Sequence, residues 1–118
     1  MTTPRASIVI PCHNALDYTR ACVESIERHT PEPHEIVLVD NGSADGTPEW
    51  FAERGEGALV RNPTNLGFAA AVNQGIAAAA AATVVLLNND ALATPGWMTA
   101  LLAALERDPG IGIAAPMS

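Results

Sequence analysis

The chain contains no lysine, and its six cationic side chains are all arginine, against thirteen Asp and Glu. A formal net charge of -7 repels a polyphosphate backbone, which excludes nucleic acid as a partner. It still admits a small phosphorylated ligand if a cation stands between ligand and carboxylates. Two cysteines, Cys12 and Cys22, make neither a disulfide framework nor a metal cluster and read as reduced thiols of a cytoplasmic protein. Aromatic residues are only 4% of the chain. No apolar run reaches the roughly 20 residues that span a bilayer. Ile76 to Leu87 comes nearest, broken by Thr83, and Met1 to Ser7 has no apolar core that would make a signal peptide. There is no G-x-G-x-x-G after the first apolar run, no P-loop and no nucleophile elbow, so dinucleotide, P-loop and hydrolase readings lose their support.

What is present alternates. Ala6 to Ile10 is a short β-branched strand that Pro11 should end; Ala15 to His29 has helical spacing, with Asn14 as N-cap. Glu35 to Val39 is a second strand, and a short helix follows, capped by Thr47 and closed by Gly55. Ala58 to Arg61 reads as a weak strand, Phe68 to Ala82 as a helix and Thr83 to Leu87 as a strand. Gly96 to Arg107 reads as the last helix and Ile111 to Ala115 as a fifth strand. With 118 residues, 48% of them hydrophobic, this makes one α/β domain: a parallel-rich three-layer sandwich with helices on both faces. Ligands of such sheets bind beyond the C-terminal ends of the strands, where polar residues stand at Pro11 to Asn14, Asp40 to Ser43 and Asn88 to Asp90.

Two strand-end carboxylates, Asp40 and Asp90, are the clearest chemical signal. One alone would more often cap its own turn; two on one sheet edge indicate a site able to accept a base N–H or bind a hard cation. Asn65, Gly67 and Asn73 are the second signal. Gly67 lets backbone approach a ligand at a helix N-terminus, and Asn73 is a poor helix former inside an Ala-rich helix. His13 is open to three roles: stacking on a base, ligating a metal or acting as general base. His29 and His34 read as surface residues, and Trp50 and Trp97 as packing.

At these positions the sequence resembles the family 2 glycosyltransferases. Ser7-Ile-Val-Ile-Pro-Cys-His-Asn14, Glu35-Ile-Val-Leu-Val-Asp-Asn-Gly-Ser-Ala-Asp-Gly-Thr47, Asn65 to Ile76 and Val84 to Asp90 match four family motifs in order. The resemblance implies a GT-A half-fold over residues 1–118, the nucleotide-sugar-binding part of a longer inverting enzyme. In it Asp40 would accept the N3–H of uracil or thymine and His13 would stack on that base. Pro11, Asn14, Asn41, Gly42 and Ser43 would shape the pocket. Asn65, Gly67 and Asn73 would line the sugar-diphosphate side, with Asn88 beside Asn89 on the ribose. Asp90 would bind Mg2+ or Mn2+ on the diphosphate. The family's usual acidic motif has two or three aspartates, whereas here Asn88 and Asn89 precede a single one. That form resembles a bacterial branch making rhamnose-containing and other surface polysaccharides, with UDP- or dTDP-sugar donors. The resemblance further implies a glycan or lipid-linked acceptor, a cytoplasmic and membrane-associated enzyme, and a catalytic base outside this chain. The part represented here is then expected to be inactive alone and to pair as a homodimer through an exposed sheet edge at Ile111 to Ala115. The rival expectation is a non-catalytic nucleotide-binding or structural module.

Overall fold

The computed structural model describes residues 4–107. It shows β1 (Ala6–Cys12), α1 (Leu16–His29), β2 (His34–Asn41), α2 (Thr47–Glu53), β3 (Ala58–Asn62), α3 (Phe68–Ala78), β4 (Val84–Leu86) and α4 (Trp97–Arg107). The sheet order is β3-β2-β1-β4, and every pairing is parallel. The chain builds outward from β1 to β3, then crosses back to place β4 on the other side of β1. All strand C-termini therefore lie on one edge, and the topological switch falls beside β1.

Alternation along the strands separates the two faces. Ile8, Ile10, Ile36 and Leu38 pack with Cys22, Val23 and Ile26 of α1, Phe51 of α2 and Trp97, Met98 and Leu102 of α4. Val9, Val37 and Val39 meet Ala71 of α3 on the other face. The three-layer arrangement expected from the alternation is observed. Both tryptophans pack as expected: Trp97 is buried and donates its Nε1–H to Thr30 Oγ1 at 2.7 Å, and Trp50 packs against the same core.

Three local expectations are corrected. Pro11 does not end β1, which runs on to Cys12. Ser7 and Val9 direct their backbone groups to the β4 side, Ser7 N–H to Thr83 O and Val9 O to Leu87 N–H. Pro11, two residues on, points the same way past the end of the β4 register at Val9, so its missing N–H leaves no ladder bond unmade. Asn14 is not the N-cap of α1; that position is Ala15, left-handed at φ 61 and without a side-chain cap. Gly46, not Thr47, caps α2.

Helix α3 stops at Ala78, although the following alanines favour helix. Tertiary bonds win there. Glu35 Oε2 takes the Ala80 N–H at 2.5 Å, and Ser7 Oγ takes the Ala81 N–H at 3.0 Å. These bonds draw residues 79–83 onto the sheet and start β4. The expected fifth strand, Ile111 to Ala115, lies outside the described residues.

Gly75 brings α3 down on the sheet. A Cβ there would lie 2.2 Å from Val9 Cγ1 and 3.2 Å from Val39 Cγ2, both on stiff β-branched side chains of the core. Gly75→Ala is expected to lower unfolding free energy by about 1–3 kcal/mol through overpacking, outweighing the roughly 1 kcal/mol that alanine gains in helix propensity. Urea denaturation followed by circular dichroism measures it; an unchanged or higher midpoint would contradict the close approach.

Candidate nucleotide-sugar site

The β1–β2 pairing sets Cys12 opposite Asp40 at the strand ends. Asp40 is 2% exposed, a charge that burial tolerates only with partners. Its Oδ2 accepts the Ser43 N–H at 3.1 Å, and the Cys12 Sγ–H donates to Oδ1 at 3.6 Å. Burial first, then the Asp40 charge and this hydrogen bond, push the Cys12 thiol up to about 12. It therefore stays a protonated donor and does not become a nucleophile. Sequence alone shows Cys12 as a reduced thiol; its place beside Asp40 depends on strand register.

The loops after β1 and β2 are laced to each other. The Asn14 N–H donates to Ser43 Oγ (2.6 Å), and Asn14 Oδ1 accepts the Ala44 N–H (2.8 Å). Asp45 Oδ2 accepts the Leu16 N–H (2.9 Å), capping α1 from another element, while its Oδ1 takes the Thr47 N–H and hydroxyl (3.2 and 2.5 Å). These bonds hold Asn14 and Ala15 in left-handed conformations that ordinarily cost non-glycine residues free energy. His13 is exposed, and its Nδ1–H donates to Asn41 O at 2.6 Å. That bond fixes the tautomer and leaves Nε2 as an acceptor. Gly42, at φ 75, passes the Thr64 backbone so closely that a Cβ would lie 2.9 Å from it.

On the α3 face, the buried Asn41 turns inward. Its Nδ2 donates to Gly67 O (3.1 Å), and its Oδ1 accepts from Asn62 Nδ2 (2.9 Å), which also reaches Gln74 Oε1 (2.8 Å). Asn41 thus braces the loop rather than offering its amide to a ligand. Asn65 Oδ1 accepts the Gly67 N–H at 2.9 Å, a turn-forming bond. Asn73 is not brought to these residues: it is exposed on α3, two positions from each of the sheet-facing Ala71 and Gly75.

Across β1, the segment after β4 forms the second arm. Asn88 is exposed, and its carbonyl accepts the Cys22 thiol (3.7 Å) and the Ala91 N–H (3.0 Å). Burial and the nearby Asp90 charge push the Cys22 thiol up to about 12. Asn89 donates Nδ2 to the buried Thr19 Oγ1 at 3.2 Å, a partner that no sequence motif indicated. Asp90 is exposed at the turn. Among the described residues no three His, Cys, Asp or Glu side chains stand close enough to hold a metal by themselves. One exposed carboxylate still fits Mg2+ or Mn2+, because such ions are commonly held by one or two carboxylates with substrate phosphates supplying further oxygens.

The parallel α/β sheet matches that of GT-A-fold glycosyltransferases. The chain belongs to glycosyl transferase family 2, whose model it matches over residues 7–117. It is 34% identical over 94 residues to the PGL/p-HBAD biosynthesis glycosyltransferase of Mycobacterium tuberculosis, covering 76% of this chain and 37% of that protein. Residues 1–349 of TarS of S. aureus superpose with a TM-score of 0.78 at 18% identity, over 97% of this chain and 39% of that one; they are also known in complex with UDP-GlcNAc. The mannosyltransferase PcManGT of Pyrobaculum calidifontis, in complex with GDP-Man and Mn2+, gives a TM-score of 0.66 at 28% identity, over 78% of this chain and 29% of its own. The chain spans 13% of the length of one curated relative and 37% of another.

Asp45 gives the site an acid limit. Slight burial raises its pKa, but the Thr47 hydroxyl and the N–H groups of Leu16 and Thr47 outweigh that and hold it below the usual carboxylate range. With the folded value below the unfolded one, the stabilisation is complete above the unfolded pKa of about 3.9 and is lost as pH falls through the folded pKa. Asp45→Asn is expected to be less stable than the parent near neutral pH, the gap closing as the pH falls below the usual carboxylate range. Urea midpoints measured across that range check it; a gap that widens on acidification would contradict the assignment.

Proposed function

We infer that this chain binds a nucleoside-diphosphate sugar, UDP- or dTDP-linked, along the strand-end edge. The observation that carries this reading is the Asp40 carboxylate, held beneath the β1 and β2 loops with one donor on each oxygen. Each oxygen keeps acceptor capacity, which suits the N3–H of uracil or thymine. His13 lies beside it to stack on the base, with Pro11, Asn14, Gly42 and Ser43 forming the walls. The nucleotide then crosses β1, setting ribose against Asn89 and diphosphate against Asp90 and Asn88. Asn65 and Gly67 shape the loop on the sugar side. UDP-GlcNAc in the TarS complex supports the donor class, and Mn2+ in the PcManGT complex supports a divalent ion.

Asp90 would hold that cation, Mg2+ or Mn2+, which when bound supplies charge neutralisation for the departing diphosphate. In the longer enzyme an acceptor hydroxyl attacks the anomeric carbon of a hexosyl donor with inversion while the nucleoside diphosphate leaves. The acceptor we propose is a glycan or lipid-linked sugar of a cell-surface polysaccharide, glycosylated at the cytoplasmic side of the membrane. The helix glutamates Glu27 and Glu106 stand away from the nucleotide edge. Glu27 pairs with Arg54 (2.6 Å) and lines a cavity with His34 and Gly57, near the starts of β2 and β3. Glu106 pairs with Arg5, just before β1. We expect this stretch alone to bind nucleotide without transferring sugar and to pair as a homodimer; light scattering that finds a monomer at every concentration would contradict the pairing.

Calorimetry with UDP, dTDP, GDP and ADP tests the base reading. UDP or dTDP is expected to bind at least about 10-fold tighter than ADP, since a hydrogen bond to a charged group is worth about 1.5–3 kcal/mol and adenine presents a ring acceptor where the carboxylate needs a donor. GDP is the informative control, because guanine carries an N1–H. Equal affinity for all four would remove Asp40 from the base pocket. Mn2+ should tighten UDP binding, and Asp90→Asn should abolish most of that gain; a gain unaffected by the substitution would contradict the cation role.

A further inference from the structure

Helix α1 carries Thr19, Cys22 and Ser25 at intervals of three, along the side that faces the core. Buried hydroxyls there are costly unless bonded, and all three groups are spent on one target, the segment after β4. Thr19 Oγ1 accepts from Asn89 Nδ2 at 3.2 Å. Cys22 donates to Asn88 O at 3.7 Å. Ser25 Oγ accepts the Ala93 N–H at 2.9 Å while donating to Cys22 O at 2.7 Å. Residues 88–93 have no helix or strand of their own, and their backbone carries one turn bond, Ala91 N–H to Asn88 O. The shape of this arm is thus imposed by α1. Cys22, raised to about 12, remains a donor at any physiological pH.

We propose that Thr19 is a positioning residue for the diphosphate arm. By taking the amide nitrogen of Asn89, it leaves Oδ1 as the atom that meets a ribose hydroxyl. It also holds the turn so that the exposed Asp90 carboxylate stands where the diphosphate and its cation lie. Thr19 itself, fully buried, touches no ligand and acts through Asn89. The inference rests on the reading that a nucleoside diphosphate occupies this edge with Asp90 toward its phosphates.

The readout is the factor by which Mn2+ tightens UDP binding to the 118-residue chain, measured by calorimetry with and without the metal. Thr19→Val keeps the volume and removes the acceptor. It is expected to cut that factor roughly 10-fold, the lower end of what outer-sphere partners of metal ligands contribute, and Thr19→Ser should restore it. The preference for UDP over ADP, set at Asp40, should not change. Asn89→Ala, at a half-exposed turn, breaks the same bond from the other side and should lose the same factor even if Thr19→Val does not fold. In the Asn89→Ala background, Thr19→Val should add nothing, because the two act as one unit. An unchanged factor in either single variant, or independent losses in the double, overturns the proposal. If Asp90→Asn itself leaves the factor intact, the cation role of Asp90 fails, and the proposal with it; equal affinity for UDP and ADP in the parent would instead sink the nucleotide reading.

Discussion

Parallel pairing of β1 with a neighbour on each side is the constraint on which the rest of the molecule depends. It puts every strand C-terminus on one edge, and with them every loop that carries the candidate chemistry. The register then does finer work. Cys12 opposite Asp40 converts an ordinary buried thiol into a hydrogen-bond donor for a buried carboxylate. The short β4, ending at Leu86, leaves the upper part of β1 without a partner on that side. That gap is where Pro11 fits without breaking the ladder, and it separates the two arms of the site.

The two arms are held by different means. Around Asp40 the loops after β1 and β2 bond to each other through Asn14, Ser43, Ala44 and Asp45, so each is shaped by the other. Among the described residues, the arm of Asp90 has no such partner loop. It leans on the side of α1, through two hydroxyls and a thiol. A nucleotide bridging the arms would be read at the end whose carboxylate is buried and neutralised at the end whose carboxylate is exposed. That division suits a ligand with a specific base and a solvated diphosphate, on a chain with few cations of its own.

Two asparagines of the motifs bond within the protein, and a third lies exposed. Asn41 directs both ends of its amide into a network with Asn62, Gln74 and Gly67. Asn65 closes its own turn, and Asn73 faces outward from α3. Asn41 and Asn65 thus build the loop that borders the proposed site.

Periodicity alone determined the layer order, because a two-residue repeat in strands and a three-to-four-residue repeat in helices follow from local geometry. The positions of Asp40 and Asp90 at strand ends were legible for the same reason, and the four motifs carried the family. Tertiary structure alone decided which polar atoms remain free. Thr19, Cys22 and Ser25 look like unremarkable helix residues in sequence, and their partners lie 66 to 70 positions away. The helix caps differ from the local pattern because Asn14 and Thr47 find partners outside their own helices, and α3 ends early because Glu35 and Ser7 take the N–H groups of Ala80 and Ala81. Such bonds depend on which segments the sheet brings side by side, and a local pattern cannot encode that.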